Sequence, residues 1–292
     1  MIRVILDTNV LRQFAYQDQP HLDVEAINNA QEDLGISIAD GTFLELASQL
    51  QEQHICFDDW RKIVGKASMM LDNELPIFPG GCDLHRLSGV REDGEVDMEK
   101  VKLRSMHCWR FIAEANSLSE LEREYRYLEG EVPIIMGGGP LPAEDLRQQK
   151  HQEWIKFVED INKTWQPKKS PSAQEAAQAI LLKLKEVDGF SGRQLDAAVP
   201  YARVMGFYLH LIFRGYGAQK NQNDVVDNML FWHLSLPAVV VTDDRRLVGS
   251  RAIPAGISTG VVSVAEFNEG VKGRNVNGLL PKMETFEEFM KC

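Results

Sequence analysis

The chain has 292 residues, 44% of them hydrophobic, which is enough for a well-buried core and for two subdomains. Its net charge of −11 argues against a surface that coats nucleic acid generally, while leaving room for a local basic groove. No apolar run reaches the length of a bilayer span. The first residues start a strand where a secretory leader would carry a basic and then an apolar segment, so a cytoplasmic location is expected. Cysteines 56, 82, 108 and 292 form no regular framework, and reduced thiols are expected.

In chain order, the β-branched run through Leu6 predicts a strand that ends abruptly in Asp7-Thr8-Asn9. Helical segments from Val10 to Tyr16 and from Leu22 to Leu34 follow. Gly35 punctuates, and Ile36 to Ala39 reads as a short second strand. Asp40 is placed to cap a helix whose apolar positions Phe43, Leu44, Ala47 and Leu50 recur at helical spacing, and Glu45 falls on that helix. Strand then helix, repeated, predicts a parallel sheet with crossover helices. From His54 to Gly217 helical runs dominate, around Trp60 to Leu71, Val101 to Tyr127, Ala143 to Trp165, Ala173 to Val187 and Leu195 to Phe213. Breakers gather between them, in Leu75 to Gly81, Gly137 to Pro140 and Pro167 to Pro171. The organisation expected is an α/β domain in two parts, 1–53 and 218–270, split by a helical insertion at 54–217 and followed by a tail at 271–292. No internal repeat is visible.

The stretch from Asn221 to Ser235 begins with polar residues and runs helically into a strand at Pro237 to Val241, which ends in Thr242-Asp243-Asp244. Asp224 and Asp227 are three residues apart and share a face of the first turn. In an open α/β sheet, ligands bind outside the carboxyl ends of the strands. A helix that feeds a parallel strand starts near that same edge. Asp7, Glu45, Asp227 and Asp244 are therefore expected to converge.

Asp7-Thr8-Asn9 after the first strand, Glu45 on the helix after the second, Asp227 opening a helix and Thr242-Asp243-Asp244 after the next strand resemble the PIN-domain nucleases. The resemblance covers Met1 to Gln53 and Asn221 to Phe267, with Asp244 as the fourth acid and Asp243 between it and the threonine. It implies a PIN-like α/β/α sandwich with a mainly parallel central sheet, and a nuclease dependent on Mg²⁺ or Mn²⁺. It further implies RNA rather than DNA as substrate, and a cellular role in growth arrest or defence by cutting RNA. The chain departs from the small toxin nucleases of bacterial toxin and antitoxin pairs by its long helical insertion. That segment is the place to expect a protein partner or a homo-oligomer contact.

The chemistry asks for these residue types. Phosphodiester hydrolysis develops charge on the attacking and leaving oxygens, and divalent cations held by hard oxygen ligands stabilise it. Crowded carboxylates repel one another, so their convergence calls for a cation. Asp7 and Asp244 are assigned as direct ligands, and Glu45 and Asp227 as ligands or holders of bound water. Asp224 is a further ligand candidate at even odds with a helix cap. Thr8, Asn9 and Thr242 would orient carboxylates or a phosphate. Arg203, Arg214 and Lys220 precede the acidic helix, and Arg245 and Arg246 follow the strand tip, all five being candidates to take phosphate.

Plainer roles compete. Asp7-Thr8-Asn9 also suits an ordinary strand-to-helix turn. His54, Cys56, Cys82, His85, His107 and Cys108 match no zinc spacing, and packing is expected of them. Gly137 to Pro140 lacks the Gly-Lys-Ser or Gly-Lys-Thr ending of a phosphate loop, and the five tryptophans read as packing. The alternatives to an RNA nuclease are a structure-specific DNA nuclease and an inactive PIN-like scaffold that binds a protein. A Rossmann-like phosphatase would want an acid where Asn9 stands.

Overall fold

Five strands, β1 (Ile2–Leu6), β2 (Leu34–Ala39), β3 (Ile77–Phe78), β4 (Ala238–Val241) and β5 (Val261–Val262), form one sheet in the computed structural model. The structure describes residues 1–18, 21–30, 32–51, 54–89, 94–117, 143–164, 170–215, 230–249, 256, 260–281 and 283–291. The spatial order is β3-β2-β1-β4-β5 and each neighbouring pair is parallel. The chain moves outward from β1 through β2 to β3, then returns to the other side of β1 for β4 and β5. The reversal of direction lies between β1 and β4.

The helices in chain order are α1 (Thr8–Tyr16), α2 (Val24–Asn29), α3 (Asp40–Gln51), α4 (Phe57–Ala67), α5 (Gly81–Leu87) and α6 (Met98–Glu114). They continue as α7 (Ala143–Thr164), α8 (Ala173–Glu186), α9 (Arg193–Phe213), α10 (Val264–Lys272) and α11 (Phe286–Lys291). β-strand side chains alternate between faces, and here both faces are apolar. Val4, Leu6, Ile36, Ile38, Val239 and Val241 enter one core with Leu11, Leu46, Ile63 and Phe267 of α1, α3, α4 and α10. Ile5, Ala39 and Val240 enter the opposite core with Leu84 of α5 and Val204, Phe207 and Tyr208 of α9. Helices thus cover both faces of a parallel sheet, which is an α/β arrangement in three layers. No described helix is long and apolar enough to cross a membrane.

Three expectations are corrected. The helix expected from Leu22 to Leu34 is confined to Val24–Asn29, because Leu34 is already in β2 opposite Ile2. Gly35 is no punctuation but the partner of Arg3 in the parallel ladder. A Cβ on Gly35 would come within 2.5 Å of the Arg3 guanidinium, which crosses that spot. Finally, the breaker-rich stretch from Leu75 to Gly81 holds a strand, β3. This edge strand turns its outer backbone toward α6, where the Ser105 hydroxyl accepts from Ile77 N–H and donates to Ile77 C=O, both at 2.8 Å. The segment read as an insertion therefore supplies one strand of the sheet and the helix that guards its edge.

The helical runs expected in that segment are otherwise found as α4, α6, α7, α8 and α9, with ends shifted by a few residues except in α6, which stops at Glu114 where the expected run reached Tyr127, and residues 118–142 lie outside the described ones. Gly137 to Pro140 and most of the helix expected from Asn221 lie outside the described residues, which resume at Leu230. The tail docks through Phe289, which is fully buried among Ala177, Leu181, Ala198 and Ala202 of α8 and α9.

Candidate active site

At a topological reversal, two neighbouring strands send their connections in opposite directions and leave a crevice beyond their carboxyl ends. β1 and β4 meet these terms, and each ends in the polar residues singled out above. Asp7 follows Leu6 directly, and its backbone N–H donates to Val241 C=O at 3.1 Å, so the two strand tips are held level. The Thr242 hydroxyl then donates to Asp7 Oδ2 at 2.7 Å. Residues 235 positions apart in sequence are joined by that bond.

Asp7 also caps α1, its Oδ1 accepting from Thr8 N–H at 2.7 Å. The turn reading and the site reading are both satisfied by one carboxylate. Thr8, nearly fully buried, donates its hydroxyl to Glu45 Oε2 at 2.5 Å, which draws α3 toward α1. Asp244 donates its backbone N–H to Thr242 Oγ1 at 3.1 Å, and its Oδ1 accepts from Arg246 N–H at 2.8 Å.

The hydroxyl of Thr242 has one proton, and Asp7 takes it. Groups approaching the same oxygen must be donors, so Asn9 presents Nδ2 to it at 3.3 Å. Asn9 Oδ1 then points away, buried and without a hydrogen-bond donor. A buried acceptor oxygen without a donor is able to take a cation.

Electrostatics agree with this geometry. Burial disfavours the Asp7 anion and the hydrogen bond from Thr242 opposes that effect. The charge of Glu45 raises the pKa again, the Thr8 N–H lowers it, and the charge of Asp244 raises it. The balance lifts Asp7 from 3.8 to about 6. The charges of Glu45 and Asp244 thus both act on Asp7.

The other sequence candidates are placed as follows. Asp224, Asp227 and Lys220 lie outside the described residues. Asp243 is engaged at the start of α10, its Oδ1 accepting from Val264 N–H at 3.0 Å. Arg203 on α9 is ion-paired with Glu284 and lies 4.4 Å from the centre of the Phe289 ring, which ties the tail to α9. Arg214 is exposed at the end of α9, and Arg245 and Arg246 are exposed on the single helical turn Arg245–Leu247 after Asp244. Among the zinc-compatible side chains, Cys56 donates to Asp59 and Cys108 is buried in the core, where burial pushes its thiol up to about 11. His85 packs against Tyr201 and Trp232.

Gln49 and Arg12 were not among the residues singled out from the sequence. Gln49 Nε2 donates to Glu45 Oε1 at 2.8 Å, and Arg12 donates through Nη2 to Gln49 Oε1. Their only signal is position, each lying four residues beyond a site residue on its own helix.

The donors gathered here are hard oxygens, the type that Mg²⁺ and Mn²⁺ take. Among the described residues, no group of three or more His, Cys, Asp or Glu side chains is arranged to hold a metal by itself. Comparison of the chain with protein-family models, with curated proteins and with solved structures returns no match.

Proposed function

We propose that the chain is a metal-dependent nuclease of PIN-like architecture that hydrolyses phosphodiester bonds, with RNA as the favoured substrate. One observation carries this reading. Asp7, at the tip of β1 where the strand order reverses, lies near enough to Glu45 and to Asp244 for both charges to raise its pKa. A carboxylate whose pKa is raised by burial and by neighbouring acids is a frequent mark of a site that binds or acts on something charged.

Mg²⁺ or Mn²⁺ bound there would activate water and stabilise charge on the phosphate oxygens. Asp7 and Asp244 are the direct carboxylate donors in this account. Glu45 is a ligand or a holder of bound water, and Asp227 and Asp224 would complete the set. Thr242 and Thr8 orient the carboxylates of Asp7 and Glu45 through the hydroxyl bonds described above. At pH 7 Asp7 is ionised in most molecules, since its pKa is about 6.

A second reading, a scaffold that binds a protein and cuts nothing, draws support from the net charge of −11. The deciding experiment incubates the protein with labelled total RNA and matched DNA in Mg²⁺, Mn²⁺ or chelator, and sequences the new ends. The nuclease reading expects divalent-dependent ends in RNA that disappear in Asp7→Asn. Cuts in DNA alone would move the substrate to DNA. Absence of any cleavage would leave the scaffold.

A further inference from the structure

α1 and α3 lie side by side with two polar rungs between them. The first joins Thr8 to Glu45 and the second joins Arg12 to Gln49. Thr8 and Arg12 are four residues apart, as are Glu45 and Gln49, so each pair stacks on one helix face. A third bond runs along α3, from Gln49 Nε2 to Glu45 Oε1, and connects the rungs. Glu45 is therefore gripped on both carboxylate oxygens, by Thr8 on one and by Gln49 on the other.

The direction of the Gln49 amide is what makes this grip work. A carboxylate only accepts and a guanidinium only donates, so Gln49 must turn its NH₂ to Glu45 and its oxygen to Arg12. Turned over, it would set oxygen against carboxylate and NH₂ against guanidinium. Arg12 thus fixes the orientation of Gln49 from behind. Gln49 is 7% exposed, which keeps water from replacing either bond. Arg12 forms no ion pair with an acid among the described residues, so its charge reaches Glu45 through the amide.

We propose that Gln49 and Arg12 are positioning residues for Glu45, a cation–amide–carboxylate relay that holds the Glu45 carboxylate turned toward Asp7 at the strand tips. The relay rests on the nuclease reading only for its consequence on divalent-cation affinity. Partners that orient metal-binding carboxylates typically change affinity by about 10- to 100-fold when removed.

The test compares wild type with Arg12→Met, Arg12→Lys and Gln49→Met. The first readout is hydrogen exchange of the Gln49 side-chain amide by NMR in metal-free protein. Exchange should quicken about tenfold in Arg12→Met, the equivalent of one ordinary hydrogen bond. It should stay near the wild-type rate in Arg12→Lys, which keeps a donor. The second readout is Mn²⁺ affinity by calorimetry, expected to fall about tenfold or more in Arg12→Met and Gln49→Met and to recover in Arg12→Lys. Unchanged Gln49 exchange in Arg12→Met overturns the relay. So does quickened exchange with undiminished Mn²⁺ affinity. A wild type that binds no Mn²⁺ overturns the metal reading instead, and the exchange rates still decide whether Arg12 orients Gln49.

Discussion

β1 carries a charged residue near each end, and the two have opposite surroundings. Arg3, near its start, forms an ion pair with Asp72 at 2.8 Å, with both side chains largely buried at 13% and 17% exposure. The Ser37 hydroxyl accepts from Arg3 at 3.0 Å and passes its own proton to Leu75 C=O. Burial works to raise the Asp72 pKa, but hydrogen bonds from Arg3 and from the Glu74 and Leu75 N–H groups, with the charge of Arg3, hold it below its ordinary value. Asp7, at the other end, has acids for neighbours, and its pKa rises to about 6. Among the described residues no cation forms an ion pair with it. One cluster is internally balanced and holds β1, β2 and the turn before β3 together. The other sets Asp7 beside the charges of Glu45 and Asp244, which disfavours its anion, costs folding and is a reason to look for a ligand.

The contrast is sharpest in activity. Asp7→Asn and Asp244→Asn should each reduce cleavage to background while leaving the fold intact, because the amide keeps the shape and removes the charge. Cleavage at the wild-type rate in either variant breaks the assignment. Asp72→Asn should leave cleavage chemistry alone and instead cost about 3 kcal/mol of stability, since it strands the largely buried Arg3 charge. Urea unfolding measures that loss, and an unchanged midpoint would show that the pair contributes nothing.

Stability against pH gives the smallest effect and the one whose sign separates the clusters. The native state holds the Asp7 proton more tightly than the unfolded chain, so stability falls as pH rises from 3.8 through about 6. Asp7→Asn removes that penalty and should be more stable than wild type at pH 7, by on the order of 1 kcal/mol. The advantage should disappear near pH 3.8. Asp72 behaves in reverse, its contribution being present above the ordinary value of 3.8 and lost as pH falls below it. An Asp7→Asn variant less stable than wild type at pH 7 would mean that the hydrogen bonds at Asp7 outweigh the crowding.

Much of the strand-tip cluster was legible because it follows from strand ends. An apolar β-branched run that stops at Asp7 or at Thr242 announces where its tip lies, and parallel strands put their tips on one edge. Glu45 was legible for the same reason, one turn into the helix that leaves β2. β3 was not, because Ile77 and Phe78 are two apolar residues between prolines, and what makes them a strand is pairing with Ile38 and Ala39 of β2, with Ser105, 28 residues away, serving the outer edge. The same limit hid Gly35 and the Arg3–Asp72 pair. Helical periodicity reports which face of α1 or α3 is apolar but carries no sign that Arg12 and Gln49 meet across the gap. Arg203 is a phosphate candidate by its charge and its place before the acidic segment in sequence, and in the fold that charge is met by Glu284 from the tail.

The central claim, that the strand-tip acids are a divalent-cation site, is tested most directly by thermal unfolding of wild type and Asp7→Asn at pH 7 with and without Mn²⁺. The wild type should be stabilised by about 2.7 kcal/mol at a hundredfold excess of Mn²⁺ over its Kd, and Asp7→Asn should not respond at that concentration. No shift in wild type, or the same shift in both proteins, would contradict it.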